Sequence, residues 1–266
     1  MILTVINILL LWGCKALAIS KLSADGRTNT YDLINSVMAP QGNAIEAPDC
    51  GHKSFGPHIT QIFDSILGLY VFRFHIHRDH DNDRCLKYDR QRIEIKIYQK
   101  SPSFLKGYQG EFVNYRWKFK LSVAFQPSYN FTHIHQIKVI GGPYASMPLF
   151  TLTIRKSKQS KQDFLEIRHS PEKKSTVIKQ KLLRPFLDRW LSVTEQIRYA
   201  HEGYYSINIS DVRTGETLFI FKDDVIGTWK EGAEVARPKW GIYRSLKDKK
   251  NLRDEIVDFT DFEIEK

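Results

Sequence analysis

The sequence predicts an all-β protein built as an antiparallel β-sandwich, and three observations carry that prediction. Short runs rich in β-branched and aromatic residues recur from His58 onward, each bounded by Gly, Pro, Asn or Asp. Several of these runs alternate apolar and polar residues, as a strand does when one face packs and the other is wet. Helical periodicity is almost absent, so the runs pair with one another and two packed sheets result.

In order, the strand candidates are 69–77, 91–98, 112–121, 132–140, 149–155, 163–168, 189–198, 204–210, 216–221, 239–244 and 256–264. The run 112–120 sets Val113, Tyr115, Trp117 and Phe119 against Asn114, Arg116, Lys118 and Lys120, a clean two-residue period. In 204–210 the apolar set is Tyr205, Ile207 and Ile209. Residues 19–57, with Gly26, Pro40, Gly42, Pro48, Gly51 and Pro57, predict loops with one short strand or helix, belonging to the same domain as 58–266. The basic stretch 155–185 predicts an exposed hairpin and loop, and 176–190 a short helix limited by Pro185.

The chain has 266 residues and a formal charge of +10, which suits a polyanionic partner: a nucleic acid, an acidic polysaccharide or a membrane surface. Residues 1–18 read as a secretion signal, an apolar run too short to span a bilayer followed by Ala16, Leu17 and Ala18. Leu11-Trp12-Gly13-Cys14 also fits a lipoprotein cleavage box with Cys14 acylated, the alternative to a freely secreted chain. Beyond the signal only Cys50 and Cys85 remain, either one disulfide or two separate thiols. Export favours an extracellular polysaccharide over nucleic acid.

Three stretches carry more polar chemistry than packing needs. In Arg90–Lys96, Arg92, Glu94 and Lys96 share one face, a guanidinium steadied by a carboxylate and able to fork onto an anion. In Thr132–Lys138, Gln136 shares a face with Ile134 and Lys138, while His133 and His135 point the other way unless a bulge intervenes. In Pro238–Arg244, Lys239, Gly241 and Tyr243 share a face, with Gly241 leaving room for close approach to the backbone. A fourth stretch, 75–85, offers Asp79, Asp81 and Asp83 as a candidate Ca²⁺ site and puts His77 within reach of the groove.

Taken in order, Arg92-Ile93-Glu94-Ile95-Lys96, Gln136-Ile137-Lys138 and Lys239-Trp240-Gly241-Ile242-Tyr243 resemble the R-[ST]-E-[LV]-R, Q-[IV]-H and Y-F-K-A-G-x-Y motifs of the jelly-roll polysaccharide lyases. That group, with a concanavalin A-like (lectin-like) sandwich, includes alginate lyases, heparin lyase I and glucuronan lyase. The resemblance runs from His58 to the end, the jelly-roll domain, and the closing strand 256–264 fits it.

The resemblance implies a lyase that cleaves a uronic-acid polymer by β-elimination with no cofactor required. The signal makes it a secreted chain, expected to be a monomer, and the turn at Asp79–Asp83 is the one candidate for a structural Ca²⁺. Arg92 and Gln136 would neutralise the uronate carboxylate, with Glu94, Lys138 and His77 beside them. Tyr243 would protonate the leaving oxygen, supported by Lys239. The sequence departs from the motif at Lys138, where the family has His, so the base is His133, His135 or Tyr243 itself. A non-catalytic module binding acidic polysaccharide in the same groove is the alternative. A glycoside hydrolase ranks below both, since the paired carboxylates it needs are missing.

Overall fold

The computed structural model describes residues 19–266; the secretion-signal and Cys14 readings lie outside the described residues. In chain order the elements are β1 (Ile19–Leu22), α1 (Thr30–Met38), β2 (Ile45–Glu46), β3 (Ile59–Asp64), β4 (Leu69–Ile76), β5 (Arg90–Lys96), β6 (Phe112–Leu121) and β7 (Thr132–Ile140). There follow β8 (Phe150–Lys156), β9 (Asp163–His169), β10 (Thr176–Leu182), β11 (Trp190–Arg198), β12 (Gly203–Asp211), β13 (Thr217–Ile226), β14 (Val235–Ser245) and β15 (Glu255–Glu265). They form two antiparallel sheets. One runs β13-β12-β11-β6-β15-β4-β3 with β1 added on β15; the other runs β10-β9-β8-β7-β14-β5-β2.

Alternation decides which side chains fill the space between the sheets. Val113, Tyr115, Trp117 and Phe119 of β6 are buried, and so are Ile93 and Ile95 of β5 and Trp240 and Ile242 of β14. Each such side chain taken from water contributes about 1.5–3 kcal/mol. On the outer face of β6, Lys118 pairs with Asp261 and Arg116 with Glu263 and Glu265, so the polar half of that pattern is a solvated ion ladder.

The N-terminal segment has more structure than its composition predicts. Asn29 caps α1 by accepting from the Tyr31 and Asp32 amides, and Ile34 and Met38 turn into the core. β2 is only two residues long and pairs with β5, setting Glu46 opposite Glu94. The helix predicted within 176–190 is not formed. Residues 176–182 are strand β10, paired to β9, and Pro185 sits in a single 3-10 turn, Arg184–Phe186. β10 ends its sheet, and Lys179 and Lys181 are exposed along it.

Cys50 and Cys85 form a disulfide with their Cα atoms 6.3 Å apart. It ties the loop before β3 to the loop between β4 and β5.

Candidate active site on the outer face of the second sheet

Three neighbouring strands, β5, β14 and β7, bring the three polar stretches together. Lys239 of β14 lies opposite Lys96 of β5 and Gln136 of β7, and Tyr243 lies opposite Arg92 and His133. The pairing of β7 with both neighbours shifts by one residue near Ile134 and His135. This bulge overturns simple alternation: Ile134 and His135 both turn inward, and His133 emerges on the face of Gln136 and Lys138.

The two histidines are therefore separated. His135 is buried between the sheets, where its Nε2 meets Glu195 Oε2 at 2.9 Å and its ring lies 4.4 Å from that of Trp117. Tyr205 donates to the other Glu195 oxygen at 2.8 Å. His135 has no path to the outer face, so it is corrected from a catalytic candidate to a core residue. His133 stacks on Phe131 at 4.9 Å, with the Tyr243 ring 5.9 Å away. Burial pushes its imidazole down to about 3, so it stands neutral.

Beneath Tyr243 lies a floor of ion pairs. Glu94 accepts from Lys239 Nζ at 2.6 Å and from Arg92 Nη1 at 2.5 Å, and also from the Gln136 amide. Glu46 accepts from Arg92 at 3.2 Å, Lys96 at 3.0 Å and Arg84 at 2.7 Å, as well as from Lys239. Asp83 holds Arg92 Nε at 3.0 Å and Arg84 Nε at 2.8 Å. Burial opposes the charge on both glutamates, yet Lys239 and Arg92 hold their carboxyls below the usual range. Burial likewise opposes the charge of Arg92, but Glu94, Glu46 and Asp83 hold its guanidinium above the usual range.

Accessibility divides the set in two. Gln136 and Lys239 are only 1% and 2% exposed, so both are floor residues, and Lys239 is spent on two carboxylates. The Arg92 side chain is 11% exposed and lies 3.7 Å below the centre of the Tyr243 ring. Arg90, by contrast, is 28% exposed and donates to the Tyr243 hydroxyl at 2.8 Å. With its oxygen accepting from a guanidinium, the phenol keeps its own proton free to give elsewhere.

Arg90 and Glu46 are the residues that motif reading missed. Arg90 had a signal, being two places before Arg92 on the same strand face. Glu46 had none, since a two-residue strand carries no period. The floor extends past His133 into a hollow lined by Phe131, Thr151, Arg155 and Arg168, which adds two cations to that side.

Gly241 explains how β14 lies so close to β5. Its φ is +141°, and a Cβ there would stand 2.1 Å from the Ile93 carbonyl oxygen. Gly241→Ala is expected to lower stability by about 1–3 kcal/mol, read as a lower urea midpoint with unchanged slope.

Lys138, in the place of the family's His, folds onto the loop before β8 and donates to the Ser146 carbonyl at 2.9 Å. Burial, then the nearby charge of Lys239, pushes its amine down to about 7 from an ordinary value of 10.5. The folded chain thus binds fewer protons than the unfolded chain between those values, so this group makes stability rise with pH across that window. Lys138→Met is expected to flatten that rise in thermal melts taken from pH 7 to about 10.

The candidate Ca²⁺ set does not converge, a second correction. Asp79 pairs with Arg78 and Lys249 and Asp83 with Arg84 and Arg92, while Asp81 turns into a group of histidines. His77 belongs to that same group, its ring 4.8 Å from His52 and 4.2 Å from Phe55, rather than to the groove.

The fold is that of the jelly-roll polysaccharide lyases. Among solved structures, the chain is similar to the endo-β-1,4-glucuronan lyase of the fungus Trichoderma reesei, at 16% identity and TM-score 0.54, covering 77% of this chain and 85% of that one. It is also similar to the PL-14 alginate lyase of Aplysia kurodai, at 11% identity and TM-score 0.57, covering 92% and 97%. The alginate lyase of Klebsiella pneumoniae matches at 11% identity and TM-score 0.53, covering 77% and 83%. At the level of sequence, no family model and no curated relative matches.

Proposed function

We propose that this protein is an exported polysaccharide lyase that cleaves a uronic-acid polymer by β-elimination. The observation that carries the reading is the meeting of Tyr243, Arg90, Arg92 and His133 on one open sheet face, a phenol set among cations and a neutral imidazole. The cations suit a uronate: a guanidinium at the carboxylate stabilises the charge that spreads onto it as the C5 proton leaves. The C5–H bond breaks, its electrons form the C4–C5 double bond, the C4–O4 bond breaks, and O4 takes a proton. In this reading Tyr243 gives that proton and, as phenolate, removes the one at C5, with His133 beside it as a hydrogen-bonding partner. The Cys50–Cys85 disulfide supports export, and no helix among the described residues is long and apolar enough to cross a membrane.

A second reading has its own observation. Gln136, Lys239 and most of the Arg92 guanidinium are engaged with Glu94, Glu46 and Asp83, which suits a groove that binds an acidic chain without turning it over.

Incubating the protein separately with glucuronan, alginate and a heparin-type chain separates the two readings. A rise in the ultraviolet absorbance of unsaturated uronate on one polymer supports elimination and names the substrate. New reducing ends without that absorbance mean hydrolysis. Binding without new ends leaves the groove a lectin.

A further inference from the structure

On the far side of the Cys50–Cys85 bridge, four side chains aim at one point. His52 and His58 come from the loop before β3, His77 follows β4, and Asp81 lies one turn later. One ligand atom from each lies within 4.8 Å of all the others. Asp81 Oδ1 stands 3.0 Å from both His52 Nδ1 and His58 Nε2, and its Oδ2 stands 3.2 Å from His77 Nδ1. We propose that His52, His58, His77 and Asp81 form a tetrahedral binding site for a divalent transition metal ion of the Zn²⁺ type.

The distances fit such an ion. Metal–ligand bonds of about 2.0–2.2 Å in a tetrahedron put the ligand atoms about 3.3–3.6 Å apart. The two contacts to Asp81 Oδ1, from His52 and His58, are within a few tenths of an ångström of that, while His77 meets the other oxygen, Oδ2. The set must draw in from a spread of up to 4.8 Å, an adjustment that falls to His52 and His77, whose side chains are 14% and 17% exposed. The donor chemistry selects the ion. Three imidazoles and one carboxylate suit Zn²⁺, Co²⁺ or Cu²⁺, whereas Ca²⁺ takes six or more oxygens.

The surroundings are also those of a held site. His58 directs its other nitrogen, Nδ1, to Asp49 Oδ1 at 2.6 Å, and Asp49 in turn accepts from the Tyr31 hydroxyl at 2.7 Å. A carboxylate behind a ligating histidine fixes the ring and strengthens it as a ligand. The Asp81 side chain is fully buried and also accepts from the His77 amide at 2.6 Å. An ion bound to His58 Nε2 would take the place of any proton there, so binding would be coupled to proton release. An open depression lined by Cys50, Arg78, His80 and Tyr88 borders Asp81.

The site would brace more than its own loop. Asn82 and Asp83, the next two residues, accept from the Arg92 amide at 3.2 Å and from Arg92 Nε at 3.0 Å. An ion at Asp81 would thereby stiffen the loop that positions the guanidinium under Tyr243.

The test is a Co²⁺ titration of the full, untagged chain after treatment with a chelator, followed by Zn²⁺ addition. The expected result is one equivalent of Co²⁺ with the intense visible bands of a tetrahedral site, bleached by Zn²⁺, and a higher melting temperature with either ion. Asp81→Asn and His58→Ala should abolish the bands. Asp49→Asn keeps every ligand and should weaken Co²⁺ binding about 10–100-fold. His80→Ala, whose ring lies 4.8 Å from His52 outside the ligand set, should keep the full equivalent. Absence of a stoichiometric Co²⁺ spectrum in the folded wild-type chain overturns the proposal. So do an unchanged Co²⁺ affinity in folded Asp49→Asn and a melting temperature raised by Ca²⁺ but not by Zn²⁺.

Discussion

On the elimination proposed above, Tyr243→Phe is expected to reduce turnover of a uronic-acid polymer by about 10²–10⁴-fold, the range a positioned acid–base group contributes. Binding should change little, because the ring that Arg92 stacks against at 3.7 Å is retained. What is lost is the hydroxyl that Arg90 holds at 2.8 Å. The measurement is kcat and KM from the ultraviolet rise, with polymer affinity measured separately. A Tyr243→Phe protein that turns over as fast as the wild type would move proton transfer to another group. His133→Asn is the companion variant, on the same face and 5.9 Å away ring to ring.

Glu94→Ala should be the most disruptive single change in the site. Glu94 is 1% exposed and receives Lys239, Arg92 and Gln136 together. Removing the buried Glu94 carboxylate leaves Lys239 and Arg92 to share Glu46 and Asp83, one anion short in a site closed to water, at a cost of about 3–5 kcal/mol. Urea denaturation reads the loss. Adding Lys239→Met should recover part of it, since the worst-placed cation is then gone. If Glu94→Ala alone is within experimental error of wild type, the floor is wetter and more forgiving than the geometry implies.

Most strands could be read from sequence because alternation is a local signal. Runs such as Val113–Phe119 carry their own period, and their burial follows it residue by residue. β2 could not be read, because two residues show no pattern and Ile45–Glu46 is strand only through its pairing with β5. β10 does not read as a strand, because TVIKQKL lacks a two-residue alternation and its strand state comes from pairing with β9.

The site shows the same division. Arg92, Glu94, Lys239, Gly241 and Tyr243 came out on the right face because β5 and β14 alternate without interruption relative to each other. The bulge at Ile134–His135 separates two histidines that plain alternation puts on one face, and a one-residue insertion of that kind leaves no local mark. The aspartates of 75–85 look like oxygen ligands in a row, but folding sends Asp79 and Asp83 to arginines and Asp81 to histidines. The histidines that gather around Asp81 come from both sides of β3 and β4, a separation that no short motif spans.

The lysines of β10 have a further consequence. A strand at the end of a sheet leaves half its amide and carbonyl groups free to recruit a strand from another molecule. Val177 and Leu182 on β10 are 40% and 45% exposed, which would make such recruitment sticky. Lys179 and Lys181 place like charges along the same edge, so two copies approaching edge to edge repel. Lys179 and Lys181 are therefore expected to oppose edge-to-edge self-assembly at high concentration, and a variant lacking both should be less soluble.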